Sequence, residues 1–242
     1  MTLHTTFDVA SLIGGIGIAF LYKKTFFRNI PNPVPSALRT NYLFAVLLGL
    51  VFGAYLFGTM NAVFSYSDHA GFLLGKSVIG GIIGGVVGAE IFKWRKGIRG
   101  STGIFFVPAL ALGIGIGRIG CFLTGLSDFT FGMPTDFFLG VDFGDGVKRH
   151  PVQLYESFSM FLFLGVFTFC MWRKNSFWIR NAFYIFVFFY AVQRFFWEFL
   201  KPYATIFLNL NIFHCVTILL ALYALYMTAI NEKRYLEITR NM

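Results

Sequence analysis

"GIFFVPALALGIGIGRIGCFLT" runs from Gly103 to Thr124 and carries a single charge, Arg118. About 20 mostly apolar residues are enough to carry a helix across the hydrocarbon of a bilayer. The stretch therefore predicts a transmembrane helix, and an arginine inside one needs a reason. A charge at the bilayer centre costs about 2.5–3.5 kcal/mol on insertion scales, and less toward the interface.

The rest of the chain fits that reading. Its 242 residues are 57% hydrophobic, 20% aromatic and only 13% charged, against about 25% charged in soluble domains. There is no room for a sizeable soluble domain. Six further apolar stretches predict spans at about Phe7–Leu21, Tyr42–Met60, Leu73–Phe92, Val152–Trp172, Ala182–Leu200 and Leu208–Ile230. The first is short and interrupted by Gly14, Gly15 and Gly17. The expected fold is an all-α polytopic membrane protein of seven transmembrane helices, one integral membrane domain over residues 1–242.

The formal net charge of +9 would suggest nucleic acid as a partner of a soluble protein. Here the basic residues sort by loop instead. Lys23, Lys24, Arg28, Arg39, Lys93, Arg95, Lys96, Arg99, Arg173, Lys174, Arg180, Lys233, Arg234 and Arg240 fall on one side of the spans. Lys76, Lys148, Arg149 and Lys201 fall on the other. The positive-inside rule then puts the N-terminus outside and the C-terminus in the cytoplasm, and no nucleic-acid partner is implied. An odd number of spans requires that arrangement. No basic region precedes the first apolar run, so no cleavable signal peptide is expected. Cys121, Cys170 and Cys215 all lie in apolar stretches without a C-x-x-C pair, so neither disulfide framework nor metal site is indicated.

One long connection, at about residues 125–151, lies on the outer side. Gly144-Asp145-Gly146 within it, between short alternating runs, predicts a β-hairpin or small cap. In spans three and four, Gly80, Gly84 and Gly88, then Gly113, Gly117 and Gly120, have the small-residue spacing that lets helices approach closely in lipid. Such packing could serve the helices alone or could also fix Arg118 in a narrow site.

Arg118, Arg194 and Glu156 sit at similar depths from the outer ends of spans four, six and five. Tyr190, Arg194 and Glu198 are spaced by four and share one helix face. His150, Gln153 and Tyr155 flank Glu156. Three helices thus bring two arginines and two glutamates to the outer third of the bilayer. Two readings are open. The charges can pair for assembly, Arg118 with Glu156 and Arg194 with Glu198, or they can form an anion site. A guanidinium fork matches phosphate oxygens and stays charged when buried, and at this depth the anion would be a phospholipid head group.

"HPVQLYE" (His150–Glu156), with Gly117-Arg118 and the Tyr190/Arg194/Glu198 spacing on either side, resembles the prolipoprotein diacylglyceryl transferase family. The first motif matches the family's H-P-x-Q-L-Y-E in full. The family's G-R-x-G-N-F-x-N-G-E is matched only by Gly117, Arg118, Gly120, Phe122 and Gly125. Its asparagines are Cys121 and Thr124 here, its glutamate is Leu126, and the histidine of its H-G-G is Ile79. Asp128 is a candidate substitute acid.

The resemblance implies seven spans in a bacterial plasma membrane and transfer of a diacylglyceryl group from phosphatidylglycerol to a lipobox cysteine in a lipoprotein precursor, with no cofactor or metal. Arg118 and Arg194 would stabilise the departing phosphate. Glu156 and Glu198 would orient them, and Gln153, Tyr155, Tyr190, Gly117 and Gly120 would bind or brace the head group. His150 would act as general base, a role imidazole suits near neutrality, or would simply open the helix before Pro151. His4, His69 and His214 are weaker candidates, and His214 reads as a helix–helix hydrogen-bond partner. Cys121 is either a small packing residue or a thiol activated by the arginines. The loss of the family histidine leaves two alternatives: a related lipid or head-group transferase with another acceptor, and a lipid-binding paralogue without catalysis.

Overall fold

The computed structural model describes residues 3–65, 75–203, 205 and 207–240. His69, and Leu73 and Leu74 at the head of the expected third span, lie outside the described residues. Seven α-helices follow in chain order: α1 (Leu3–Thr25), α2 (Arg39–Ser65), α3 (Val78–Lys96), α4 (Val107–Thr124), α5 (Val152–Trp172), α6 (Ser176–Glu198) and α7 (Ile212–Arg240). Among the described residues, five stretches, those containing α1, α2, α4, α5 and α7, are long and apolar enough to cross a membrane. The polar content of α3 and α6 is higher: α3 ends in Lys93, Arg95 and Lys96, and α6 carries Arg180, Arg194 and Glu198. The chain is an all-α polytopic membrane protein.

Most helices outrun their expected apolar stretches because their ends are polar. Lys23 and Lys24 occupy the last turn of α1, where cations oppose the C-terminal carbonyls. Ser77 caps α3 by accepting from the Gly80 amide at 3.3 Å. Asn211 caps α7, its side-chain oxygen accepting from the amides of Phe213 at 2.9 Å and His214 at 3.1 Å. The short, glycine-interrupted first stretch forms a helix of 23 residues.

Two compact units are present, Pro31–Thr102 and Met1–Ile30 with Gly103–Met242. In the first, α2 and α3 are in backbone contact. A Cβ on Gly84 would lie 2.0 Å from the Gly49 carbonyl oxygen, and one on Gly80 2.4 Å from that of Gly53. The α3 glycines thus serve helix packing, and their partner is a second glycine pair in α2 that the sequence reading passed over. Gly84→Leu is expected to lower the thermal midpoint of the purified protein through about 3 kcal/mol of overpacking. Gly17→Leu, which meets open space, should leave it unchanged. Equal midpoints for the two variants would refute the close approach.

In the other unit, α4 contacts α1 and α5, and α6 contacts α5 and α7. Gly120 admits the Phe7 side chain of α1, and Gly115 the Phe161 ring of α5. The Ser157 hydroxyl donates to the Gly115 carbonyl at 2.8 Å and ties α5 to α4. The usual polarity of a protein is reversed on these helices. Leu12, Ile13 and Ile16 of α1, Phe158 and Leu162 of α5 and Leu219 and Leu222 of α7 are exposed, while Gln153, Glu156, Arg194 and Glu198 are buried. Such a surface is stable against lipid tails, not water.

Between α4 and α5, strands β1 (Val141–Asp142) and β2 (Lys148–Arg149) pair antiparallel, Val141 opposite Arg149 and Asp142 opposite Lys148. This is the expected hairpin. Gly144 and Gly146 take φ of 101° and 77°, a region glycine enters without steric cost. The Asp142 carboxylate accepts from the amides of Gly144, Asp145 and Gly146 at 2.8–3.1 Å. The hairpin is anchored to the end of α6, since the Met133 amide donates to the Leu200 carbonyl at 2.7 Å and the His150 amide to the Met133 carbonyl at 3.1 Å.

Candidate active site

The charges that the sequence spaced along three helices converge. Arg118 of α4 and Arg194 of α6 both pair with Glu156 of α5, Arg118 Nε at Oε2 and Arg194 Nη1 at Oε1. Arg194 Nη2 also meets Glu198 Oε2 at 2.9 Å. Both pairings expected for assembly therefore exist, and Glu156 bridges them into one cluster. Arg194 lies over the Phe213 ring at 5.6 Å, a favourable cation–π placement.

A fifth charge completes the cluster. Lys201, expected in a loop outside the bilayer, is folded inward, and its Nζ donates to Glu156 Oε1 at 2.8 Å. None of Arg118, Glu156, Arg194, Glu198 and Lys201 is more than 8% exposed. Asn211, at the head of α7, donates from Nδ2 to Glu198 Oε1 at 3.0 Å. Lys201 and Asn211 had no role in the sequence reading. Counting from Tyr190 in steps of three and four reaches Arg194, Glu198 and then Lys201, one residue past the predicted span end at Leu200, but nothing local marks that lysine as turned inward.

Several buried atoms of the cluster have no hydrogen-bond partner. They include both amide atoms of Gln153, Nε of Arg118 and of Arg194, and Oε2 of Glu198. Arg118 Nε and Glu198 Oε2 are held in ion pairs, with Glu156 Oε2 and Arg194 Nη2; Arg194 Nε and both amide atoms of Gln153, fully buried in the first turn of α5, have neither bond nor ion pair. Buried polar groups are nearly always satisfied in native structures, and each orphan costs about 1–3 kcal/mol. Their concentration around one carboxylate is what a polar ligand site requires.

The opposite end of α6 gives the contrast. Arg180 binds Glu232 of α7 through two parallel bonds of 2.9 and 2.8 Å, Asn181 donates to the same carboxylate at 2.6 Å, and Asn231 donates to Asn181 at 2.8 Å. No buried side-chain nitrogen or oxygen in that network lacks a partner, so it reads as a structural latch. Glu232→Ala is expected to cost about 1–2 kcal/mol of stability while leaving intact the lipid binding proposed below for the Glu156 cluster. A binding defect in a stably folded Glu232→Ala protein would contradict the separation of the two networks.

The remaining candidates lie apart from the ion cluster's own bonds. His150 is half-buried at the entrance to α5, its Nδ1 3.4 Å from the Tyr155 hydroxyl, and the Tyr155 ring stands 5.2 Å from that of Trp197. Gly120 accommodates Phe7, and a Cβ on Gly117 would meet the Ser11 hydroxyl at 3.5 Å. Cys121 is partly buried near the end of α4, and the Asp128 carboxylate, four residues past that end, accepts from the Thr130 hydroxyl. His214 lies at the head of α7; its Nδ1 accepts from the Asn211 amide at 3.1 Å and its ring packs on Phe199, 4.2 Å between centroids. Ile79 is buried within the α2–α3 unit.

On the hairpin, Arg149 Nη1 donates to Asp145 Oδ1 at 2.7 Å, and this bond holds the Asp145 carboxyl below its ordinary range. A depressed carboxylate contributes its stability above its unfolded pKa of about 3.9 and loses it as pH falls through the folded value. The hairpin pair is therefore intact at neutrality.

The family model for prolipoprotein diacylglyceryl transferase matches residues 7–230. The chain belongs to the prolipoprotein diacylglyceryl transferase family. It is similar to curated phosphatidylglycerol–prolipoprotein diacylglyceryl transferases. The relative from Finegoldia magna is 30% identical over 142 residues, 56% of this chain and 55% of that protein. The one from Francisella tularensis subsp. mediasiatica is 32% identical over 178 residues, 68% of this chain and 63% of that protein. The one from Bordetella parapertussis is 40% identical over 86 residues, 34% of this chain and 32% of that protein. The chain thus spans between a third and two thirds of the length of these relatives. No solved structure matches. Within the diacylglyceryl transferase family match lie all the members of the ion cluster, Arg118, Glu156, Arg194, Glu198 and Lys201.

Proposed function

We propose that this protein transfers a diacylglyceryl group from phosphatidylglycerol to the cysteine thiol of a lipoprotein precursor, at the outer leaflet of the bacterial plasma membrane. The observation that carries the reading is the pair of buried guanidiniums on Glu156, with Arg194 Nε unspent and with Gln153, three residues before Glu156 in α5, buried and unpartnered. An ion-pair network built only for assembly would be saturated, as the Arg180–Glu232 network is. Family membership and the names of the curated relatives support the same chemistry. The basic-residue distribution favours seven spans with the N-terminus outside and the C-terminus in the cytoplasm, which would set the site toward the outer leaflet.

In this mechanism the lipid phosphate is held by Arg118 and Arg194, which are pre-aimed by Glu156 and Glu198. The precursor thiol gives its proton to His150, and the thiolate attacks the glycerol carbon that carries the phosphate. A carbon–sulfur bond forms as the carbon–oxygen bond to phosphate breaks. Glycerol phosphate leaves with the bonding electrons, and the arginines stabilise its charge. Gln153 and Tyr190 hydrogen-bond the head group. Glu156 and Glu198 orient the guanidiniums.

Ile79 and Cys121, standing where the family has histidine and asparagine, favour a second reading, in which the same anion site serves another acceptor or only holds lipid. Purified protein incubated with labelled phosphatidylglycerol and a lipobox peptide separates the two. Lipidated peptide with released glycerol phosphate is expected. Tight phosphatidylglycerol binding without product would leave the second reading standing instead.

A further inference from the structure

Lys201 is the member of the cluster that the sequence gives least reason to expect. A lysine three residues past a helix end would ordinarily snorkel toward water on its flexible stem. Here the backbone prevents it. The Lys201 amide donates to the Glu198 carbonyl at 3.1 Å, continuing the turn of α6, and the Leu200 carbonyl is held from outside by the Met133 amide at 2.7 Å. The side chain is directed inward, is fully buried, and ends on Glu156. Desolvating an ammonium costs several kcal/mol. Glu156 already has two guanidinium partners, so a third cation is not needed to neutralise it.

The charges explain the arrangement. Arg118 and Arg194 balance Glu156 and Glu198, and those four sum to zero. Lys201 brings the buried cluster to a net charge of +1. It also takes a share of Glu156 Oε1, the oxygen that Arg194 Nη1 meets, and Arg194 Nε remains without a partner. A site of net charge +1 is neutralised by a monoanionic phosphodiester. A zwitterionic head group would add its own ammonium to a cluster that already has excess positive charge.

We propose that Lys201 is a positioning and specificity residue: it sets the cluster's net charge and so selects an anionic phosphodiester head group over a zwitterionic one. The proposal rests on the anion-site reading above. Its test is lipid retention by protein purified from mixed micelles containing equal phosphatidylglycerol and phosphatidylcholine. Wild-type protein should retain phosphatidylglycerol preferentially. Lys201→Met should lose about tenfold or more of that preference, the scale of one charge interaction in a partly shielded site. Lys201→Arg should keep it.

A merely structural lysine would change stability without changing the head-group ratio. Lys201→Gln, which can still hydrogen-bond Glu156, provides a neutral variant should the methionine fail to fold, and the same loss is expected. A wild-type preference that survives in the neutral variants overturns the role of Lys201 and leaves the anion site intact. A wild-type protein with no preference overturns both.

Discussion

Arg194→Ala is expected to abolish diacylglyceryl transfer, with a fall of at least about a hundredfold in turnover, the usual loss when one preorganised donor to a developing charge is removed. Arg194 is the only residue that pairs with both carboxylates of the described cluster, Glu156 through Nη1 and Glu198 through Nη2 at 2.9 Å. Its removal leaves Glu198, among the described residues, with only the bond from Asn211, so the site loses both a phosphate ligand and the geometry of its neighbour. Arg194→Lys separates charge from shape. The ammonium is a point charge and cannot form the planar fork, so this variant should recover part of the stability and little of the activity. Measured turnover of Arg194→Ala within threefold of wild type would remove the phosphate-clamp mechanism.

How much of this was visible beforehand depended on the kind of signal. The helices were legible because lipid imposes a coarse rule, and α5 begins and ends at the predicted Val152 and Trp172. Arg118, Glu156 and Arg194 were legible for the same reason, since charges stand out in apolar spans. The Gly144-Asp145-Gly146 turn was legible because its backbone angles suit glycine. Lys201 was not. A lysine just past a helix end is ordinary in sequence, and only the tie between Met133 and Leu200, set by the tertiary fold, turns it inward. Asn211 was hidden likewise, because its bond to Glu198 depends on how α7 meets α6. The glycines of α3 were correctly read as packing residues, but their partner, Gly49 and Gly53 of α2, lay about 30 residues away in a stretch whose glycines look incidental. Residue type is local information. Which buried residue meets which is not.

Glu156→Ala is expected to have the largest effect on the protein itself. Glu156 is the common anion of Arg118, Arg194 and Lys201. Without it three buried cations face Glu198 alone, and the local charge rises from +1 to +2. Breaking a buried pair costs about 3–5 kcal/mol because the remaining charge is uncompensated, and here three charges lose a partner at once. The thermal midpoint in detergent should fall by about 10 °C or more, with activity lost in parallel. Glu156→Gln keeps the shape and two polar atoms but not the charge, so it should destabilise less and still be inactive. Double replacement distinguishes repulsion from lost packing. Glu156→Gln combined with Lys201→Met restores the net charge to +1, so it should be more stable than Glu156→Gln alone. Strictly additive losses in the two variants would show that Glu156 and Lys201 do not interact, and the shared-anion account of the cluster would have to be abandoned.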